Sequence, residues 1–162
     1  MKRLSLALLM VMLCMALTGC TSLVRISGNS MSPTLKDGDI VTTAPYASPE
    51  DIGRFDVILC RYPGRDALFV KRIVGLPGDT VAITDGCLYV NGVRYEEAYV
   101  AEDNRDRRDV ADTLVPQGCY YVLGDNRRNS NDSRNSVIGA LPRACIVREV
   151  TSVLWPQARA VE

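Results

Sequence analysis

The chemistry this sequence can support is narrowed by a residue it lacks. Its 162 residues include no histidine. That excludes Ser-His-Asp and Cys-His arrangements and removes the commonest metal ligand. Any nucleophile must therefore lose its proton to another group. Ser30 lies in Ser27-Gly28-Asn29-Ser30-Met31-Ser32-Pro33-Thr34-Leu35. Gly28 permits close backbone approach. Pro33 fixes its own φ and pushes Ser32 into an extended conformation. Ser30 thus sits on tightly specified backbone that can offer a hydroxyl and an N–H together. Lys71 lies inside the apolar segment Leu68-Phe69-Val70-Lys71-Arg72-Ile73-Val74-Gly75. Neighbours that strip water from an amine favour its neutral form, and a neutral lysine can act as base toward a serine. In a chain without histidine, Ser-Lys is the natural remaining pair. The plain alternatives are a turn serine and an edge-strand lysine that reaches solvent.

A third cluster is the polar run Gly124-Asp125-Asn126-Arg127-Arg128-Asn129-Ser130-Asn131-Asp132-Ser133-Arg134. A loop this polar beside apolar strands needs internal partners. Asp125, Arg127, Asp132 and Arg134 can supply them as charge-assisted hydrogen bonds; otherwise it is a solvated surface loop. Composition limits the rest. The 19 basic and 19 acidic residues cancel, which argues against a nucleic-acid partner. The cysteines at 14, 20, 60, 87, 119 and 145 form no CxxC pair, so no zinc spacing is present and no metal or cofactor is expected. Cys60, Cys87, Cys119 and Cys145 could pair as disulfides or stay as buried thiols.

The elements that must position these residues read as mainly β. Residues 40–43, 55–60, 68–75, 80–84, 87–90 and 119–123 are β-prone, and residues 144–154 supply a last strand or two. Asp85-Gly86 and Asn91-Gly92 are hairpin turn signals. Residues 94–112 carry dense charge of mixed sign and read as a solvated excursion rather than a site. Ahead of all this, residues 4–24 carry no charge and follow Lys2 and Arg3. As a helix that run matches a bilayer core of about 30 Å. It reads as an uncleaved anchor with its basic end cytoplasmic, a cleaved secretory signal, or a lipoprotein signal in which Leu17-Thr18-Gly19-Cys20 is the lipobox. The uncleaved anchor is preferred, because the chain continues directly into the Ser30 motif. The expected division is an N-terminal membrane segment over residues 1–25 and an extracytoplasmic β-rich domain over residues 26–162.

Ser30-Met31 with Pro33-Thr34-Leu35, then Lys71-Arg72-Ile73-Val74-Gly75-Leu76-Pro77-Gly78-Asp79, then Gly124-Asp125-Asn126-Arg127 with Asn129-Ser130 and Asp132-Ser133-Arg134, together resemble bacterial type I signal peptidase. The order of the three motifs matches, as does the apolar segment before the serine, and the resemblance spans roughly residues 1–155. It implies antiparallel β-sheets of the signal-peptidase type behind an N-terminal transmembrane or signal-anchor helix. It implies a single-pass enzyme of the cell membrane that meets membrane lipid and cuts signal peptides from secretory preproteins. Ser30 matches the family's nucleophile, Lys71 its general base, and Ser130 a serine that orients the lysine. The oxyanion hole would use the N–H of Ser30. Gly28 stands where many relatives carry a second hydroxyl donor. Ile26, Met31, Leu35, Phe69 and Val70 match positions lining the substrate pockets, while Asp125, Arg127, Asp132 and Arg134 match the loop that supports the dyad. Arg128 departs from the Asp of many relatives, and four residues rather than two separate Arg134 from Gly139. The stretch from lysine to loop is short, so the inserted second domain is expected to be minimal. The rival readings are a specialised Ser-Lys peptidase, of the kind that processes pilins or conjugation factors, and a non-catalytic envelope lipoprotein.

Overall fold

Strands of two to ten residues joined by tight turns carry this chain, as its short β-prone runs and Gly/Pro punctuation require. The computed structural model describes residues 21–161. The expected anchor up to residue 20, with its lipobox, lies outside them. Among the described residues no helix is long and apolar enough to cross a membrane, and the helical pieces are single 3₁₀ turns.

In chain order the strands are β1 (Ser22–Arg25), β2 (Ile40–Ala44), β3 (Val57–Arg61), β4 (Leu68–Gly75), β5 (Thr80–Thr84), β6 (Cys87–Val90), β7 (Val93–Tyr95), β8 (Val110–Leu114), β9 (Cys119–Leu123), β10 (Leu141–Pro142), β11 (Ile146–Trp155) and β12 (Arg159–Ala160). All pair antiparallel. One sheet runs β1-β2-β11-β3-β4-β9-β10, with β12 paired to β11 at Ser152 and Val153, beyond the stretch that pairs β3; the other runs β7-β6-β5-β8.

The large sheet has a core on each face. Along β3, Ile58 and Cys60 point into one apolar cluster while Val57 and Leu59 point into the other, so the strand reads as an unbroken apolar run. The small sheet alternates instead. Val81, Ile83, Leu88 and Val90 face inward onto Val74, Tyr121 and Leu123 of β4 and β9, which clamps the two sheets together behind the middle of β4. Asp85-Gly86 and Asn91-Gly92 both have positive φ at each residue, the dihedral pair of a tight hairpin. Cys60, Cys87, Cys119 and Cys145 are free thiols.

The structure departs from the sequence reading in three places. Ser22–Arg25, the end of the run assigned to the anchor, pairs residue by residue with β2 from Ser22↔Thr43 to Arg25↔Ile40. The sheet therefore begins before residue 26, because an apolar strand can satisfy its backbone on an open sheet edge as well as in a helix. Phe55 precedes the ladder with φ 77°, and strand β3 starts at Val57. The charged stretch 94–112 is not a plain solvated excursion: it holds the end of β7 and the start of β8, which closes the edge of the small sheet on β5.

Candidate active site

Ser30 is held by a turn whose ends are tied to the strands beside it. Ile26 N–H donates to the Asp39 carbonyl at 2.8 Å and Gly38 N–H to the Ile26 carbonyl at 3.0 Å. Leu35 N–H returns to the Met31 carbonyl at 2.9 Å. The side chains of Met31 and Leu35 are buried in the cluster below, so apolar packing fixes the turn. Gly28 N–H donates to the Asp37 carboxylate at 2.8 Å. That amide, at the position expected to help an oxyanion, is already committed. The N–H of Ser30 has no acceptor among the described residues.

Lys71 projects from the part of β4 paired with Ile58 of β3 and is only 2% exposed. It is not an edge lysine reaching water. Its Nζ lies 2.9 Å from Ser30 Oγ and donates to the Val70 carbonyl at 2.7 Å. A neutral amine has a lone pair as well as N–H donors, and this geometry leaves the lone pair for the serine proton. Burial pushes the Lys71 pKa down from the ordinary lysine value, against the opposing pull of the Asp132 and Asp125 carboxylates. The neighbouring Cys60 thiol is pushed up to about 12 by burial, so it stays neutral and adds no negative charge at working pH.

The loop after β9 packs directly behind this pair. Gly124 lies against Ser30 and Ser130: a Cβ there would sit 2.5 Å from the Ser30 carbonyl oxygen and from the Ser130 Cβ. Asn126 N–H donates to the Ser30 carbonyl at 3.0 Å, and its side-chain amide donates to the Asn29 carbonyl at 3.2 Å. Asp125 is 1% exposed and accepts a bidentate pair of bonds from buried Arg72 at 2.9 and 2.8 Å, plus the Thr34 hydroxyl at 2.5 Å. Asp132 accepts Gly124 N–H at 3.0 Å and is gripped by Arg134 at 2.8 and 3.0 Å. Arg127 donates to the Gly124 carbonyl at 3.1 Å. Ser130 differs from its expected role. Its hydroxyl is buried but makes no hydrogen bond among the described residues, so it does not hold the Lys71 amine here.

A cleft of about 290 Å³ runs from Ser30 and Lys71 along Val24, Ile26, Met31, Leu59, Leu68, Phe69 and Val70. Four of the five expected pocket residues line it. The fifth, Leu35, does not: it is 0% exposed and fills the core under the serine turn, because its place one turn after Met31 points it inward. Phe69 is braced by a stacked Tyr62 ring, centroids 4.3 Å apart. Sequence reasoning missed Arg72, Thr34 and the partners supplied by the charged stretch. Arg72 directly follows Lys71 in an apolar strand, and an arginine set among apolar residues is the signal that marks a buried ion pair.

The arrangement joins a desolvated amine, a hydroxyl on fixed backbone, an adjacent free N–H and an apolar peptide-sized cleft. Comparison with known proteins points the same way. The family profile described as signal peptidase, peptidase S26, matches residues 1–155. Signal peptidase I of Bacillus licheniformis is 35% identical over 142 residues, covering 81% of this chain and 75% of that protein. Signal peptidase I S of Bacillus subtilis (strain 168) is 41% identical over 143 residues, with 81% and 75% covered. Among solved structures, a signal peptidase I from Enterococcus faecalis V583 is similar at TM-score 0.54 and 35% identity, covering 64% of this chain and 100% of that one.

Proposed function

The chain belongs to the signal peptidase family, peptidase S26, and from that premise we propose that it removes signal peptides from secreted precursors as a membrane-bound serine endopeptidase with Ser30 as nucleophile and Lys71 as general base. The observation that carries this reading is the 2.9 Å approach of a buried amine to the Ser30 hydroxyl. Ser30 Oγ attacks the scissile carbonyl carbon while its proton passes to Lys71 Nζ. The resulting ammonium returns the proton to the leaving amine, and an acyl-enzyme is left. Lys71, neutral again, takes a proton from the hydrolytic water as its oxygen attacks the acyl carbon, and returns that proton to Ser30 Oγ as the ester bond breaks. The oxyanion falls to the Ser30 N–H, a donor worth on the order of 3 kcal/mol when preorganised.

The cleft suits an extended peptide. Among the described residues, strand β1 is the last strand of its sheet, and residues 68–71 of β4 pair with β3 only, since β9 joins β4 from Arg72 onward. Two strand edges thus flank the cleft and can take a substrate strand by backbone hydrogen bonds. In such a strand, alternate side chains point the same way. Residues −1 and −3 therefore share the apolar floor of Met31, Leu59 and Phe69, where small side chains fit and large ones clash. The apolar run ahead of β1 would hold the domain at the membrane lipid on the extracytoplasmic side.

A small activated ester that acylates serine tests the pairing. We expect labelling at Ser30 that disappears in Lys71→Ala; equal labelling in both forms contradicts the dyad, and no labelling in either favours a non-catalytic envelope protein. The pH profile is a second test. Below its pKa Lys71 carries a proton and cannot accept another, so kcat/KM should fall as pH drops through that pKa. Because burial lowers the pKa, the acid limb should lie below the range where an ordinary lysine titrates. A limb at the ordinary lysine value, or a flat profile from about pH 9 to 5, contradicts a desolvated base.

A further inference from the structure

We propose that Glu97 is a positioning residue for this site: through Arg127 and Asn126 it sets the orientation of the Asn29–Ser30 peptide and so aims the Ser30 N–H. This inference rests on the reading of Ser30 and Lys71 given above.

Glu97 belongs to the charge-dense stretch, yet its side chain is 1% exposed. Both of its carboxylate oxygens are taken by Arg127, Oε1 by Nη2 and Oε2 by Nη1 at 3.1 Å. The pair is fork-to-fork, a geometry that fixes angles as well as distance. The third Arg127 donor, Nε, reaches the Gly124 carbonyl. Arg127 therefore closes the turn over residues 124–127 from inside, and Glu97 holds Arg127 in place. The turn presents Asn126, which donates from its backbone to the Ser30 carbonyl and from its side chain to the Asn29 carbonyl. The second of these bonds matters most. A peptide unit is planar, with C=O and N–H on opposite sides. Fixing the Asn29 carbonyl therefore fixes the direction of the Ser30 N–H.

Tyr99 strengthens the same clamp. Its hydroxyl donates to Glu97 Oε1 at 2.7 Å, and its ring lies under the Arg72 guanidinium, 4.0 Å from the centroid. Arg72 in turn holds Asp125. Residues 97 and 99 thus grip Arg72 and Arg127, two of the arginines that shape the loop behind the serine. A buried ion pair is a poor device for stability alone, since apolar replacements often serve as well. Its value here is angular.

The test uses the full chain carrying Glu97→Gln, Glu97→Asp and Tyr99→Phe, with a secretory precursor and the activated ester as probes. Glu97→Gln should lower kcat about 10- to 100-fold with KM little changed, because a small misplacement of reacting groups has that effect on the chemical step. Acylation of Ser30 by the ester should slow in parallel. Glu97→Asp, which keeps the charge, should recover part of the loss. Tyr99→Phe should lower kcat by about threefold or more, since it removes one hydrogen bond to the clamp. If Glu97→Gln lowers only Tm, with kcat and ester acylation per folded molecule unchanged, or raises KM alone, the proposal is overturned. Should that variant fail to fold, Tyr99→Phe decides by the same readouts. Ser30→Ala separates the two levels. If it keeps turnover, the dyad reading fails and takes this inference with it; if it is inert while Glu97→Gln matches the parent, only this inference fails.

Discussion

Replacing Lys71 by methionine is expected to lower kcat/KM toward a secretory precursor by about 10⁴-fold or more, with the domain still folded. Methionine fills nearly the same volume and packs well in irregular apolar space. The site already suits it, because Lys71 is 2% exposed and flanked by the core residues of β3 and β4. The parent amine makes two contacts there, to Ser30 Oγ and to the Val70 carbonyl. Its loss removes the proposed proton acceptor and leaves one carbonyl short of a partner. That effect on stability is about 1–3 kcal/mol at most and is offset by no longer burying an amine. Activity and stability should therefore separate: a large fall in turnover with Tm shifted by a few degrees. Turnover within tenfold of the parent would remove Lys71 from the chemistry.

The second large effect is expected at a residue that carries no functional group. Gly124→Ala should lower activity more than about 100-fold and destabilise the domain by about 1–3 kcal/mol, the range for overpacking a close-packed site. A Cβ at 124 runs into the Ser130 hydroxyl and sits 2.5 Å from both the Ser130 Cβ and the Ser30 carbonyl oxygen. Two of these atoms are not the ends of flexible chains. They belong to the backbone of the nucleophile and the root of a buried side chain, so relief requires the loop or the serine turn to move. Either movement breaks the Asn126 N–H bond to Ser30. Chemical denaturation and kcat/KM measured together test this; an Ala variant as active and as stable as the parent would show that the two segments are not in close contact in solution.

Much of this architecture is local and was readable as such. The hairpins at Asp85-Gly86 and Asn91-Gly92 follow from turn chemistry two residues long. The strands at 40–44, 68–75, 80–84, 87–90 and 119–123 follow from β-prone side chains between such turns. The charge-dense stretch is ambiguous in one dimension, because the same residues serve a solvated loop and a buried clamp equally well. Glu97 differs from its neighbour Glu96 only in that Arg127, thirty residues further on, meets it in the interior. Leu35 illustrates the same limit in the apolar direction: hydrophobicity identifies a residue that leaves water but not which wall it joins, the cleft or the core.

The absence of histidine, the backbone constraints around Ser30, the apolar setting of Lys71 and the motif order were enough to identify the family and to put forward Ser30 and Lys71 as its reacting pair, because each depends on residue type and short spacing. Tertiary structure alone decided that β3 and β4 bury the lysine, that Asp37 takes the Gly28 N–H, that the Ser130 hydroxyl has no hydrogen-bond partner among the described residues, and that Glu97 and Tyr99 hold the loop behind the serine. These facts depend on distances between residues far apart in the chain, and such distances are set by how two sheets pack, which no local pattern encodes.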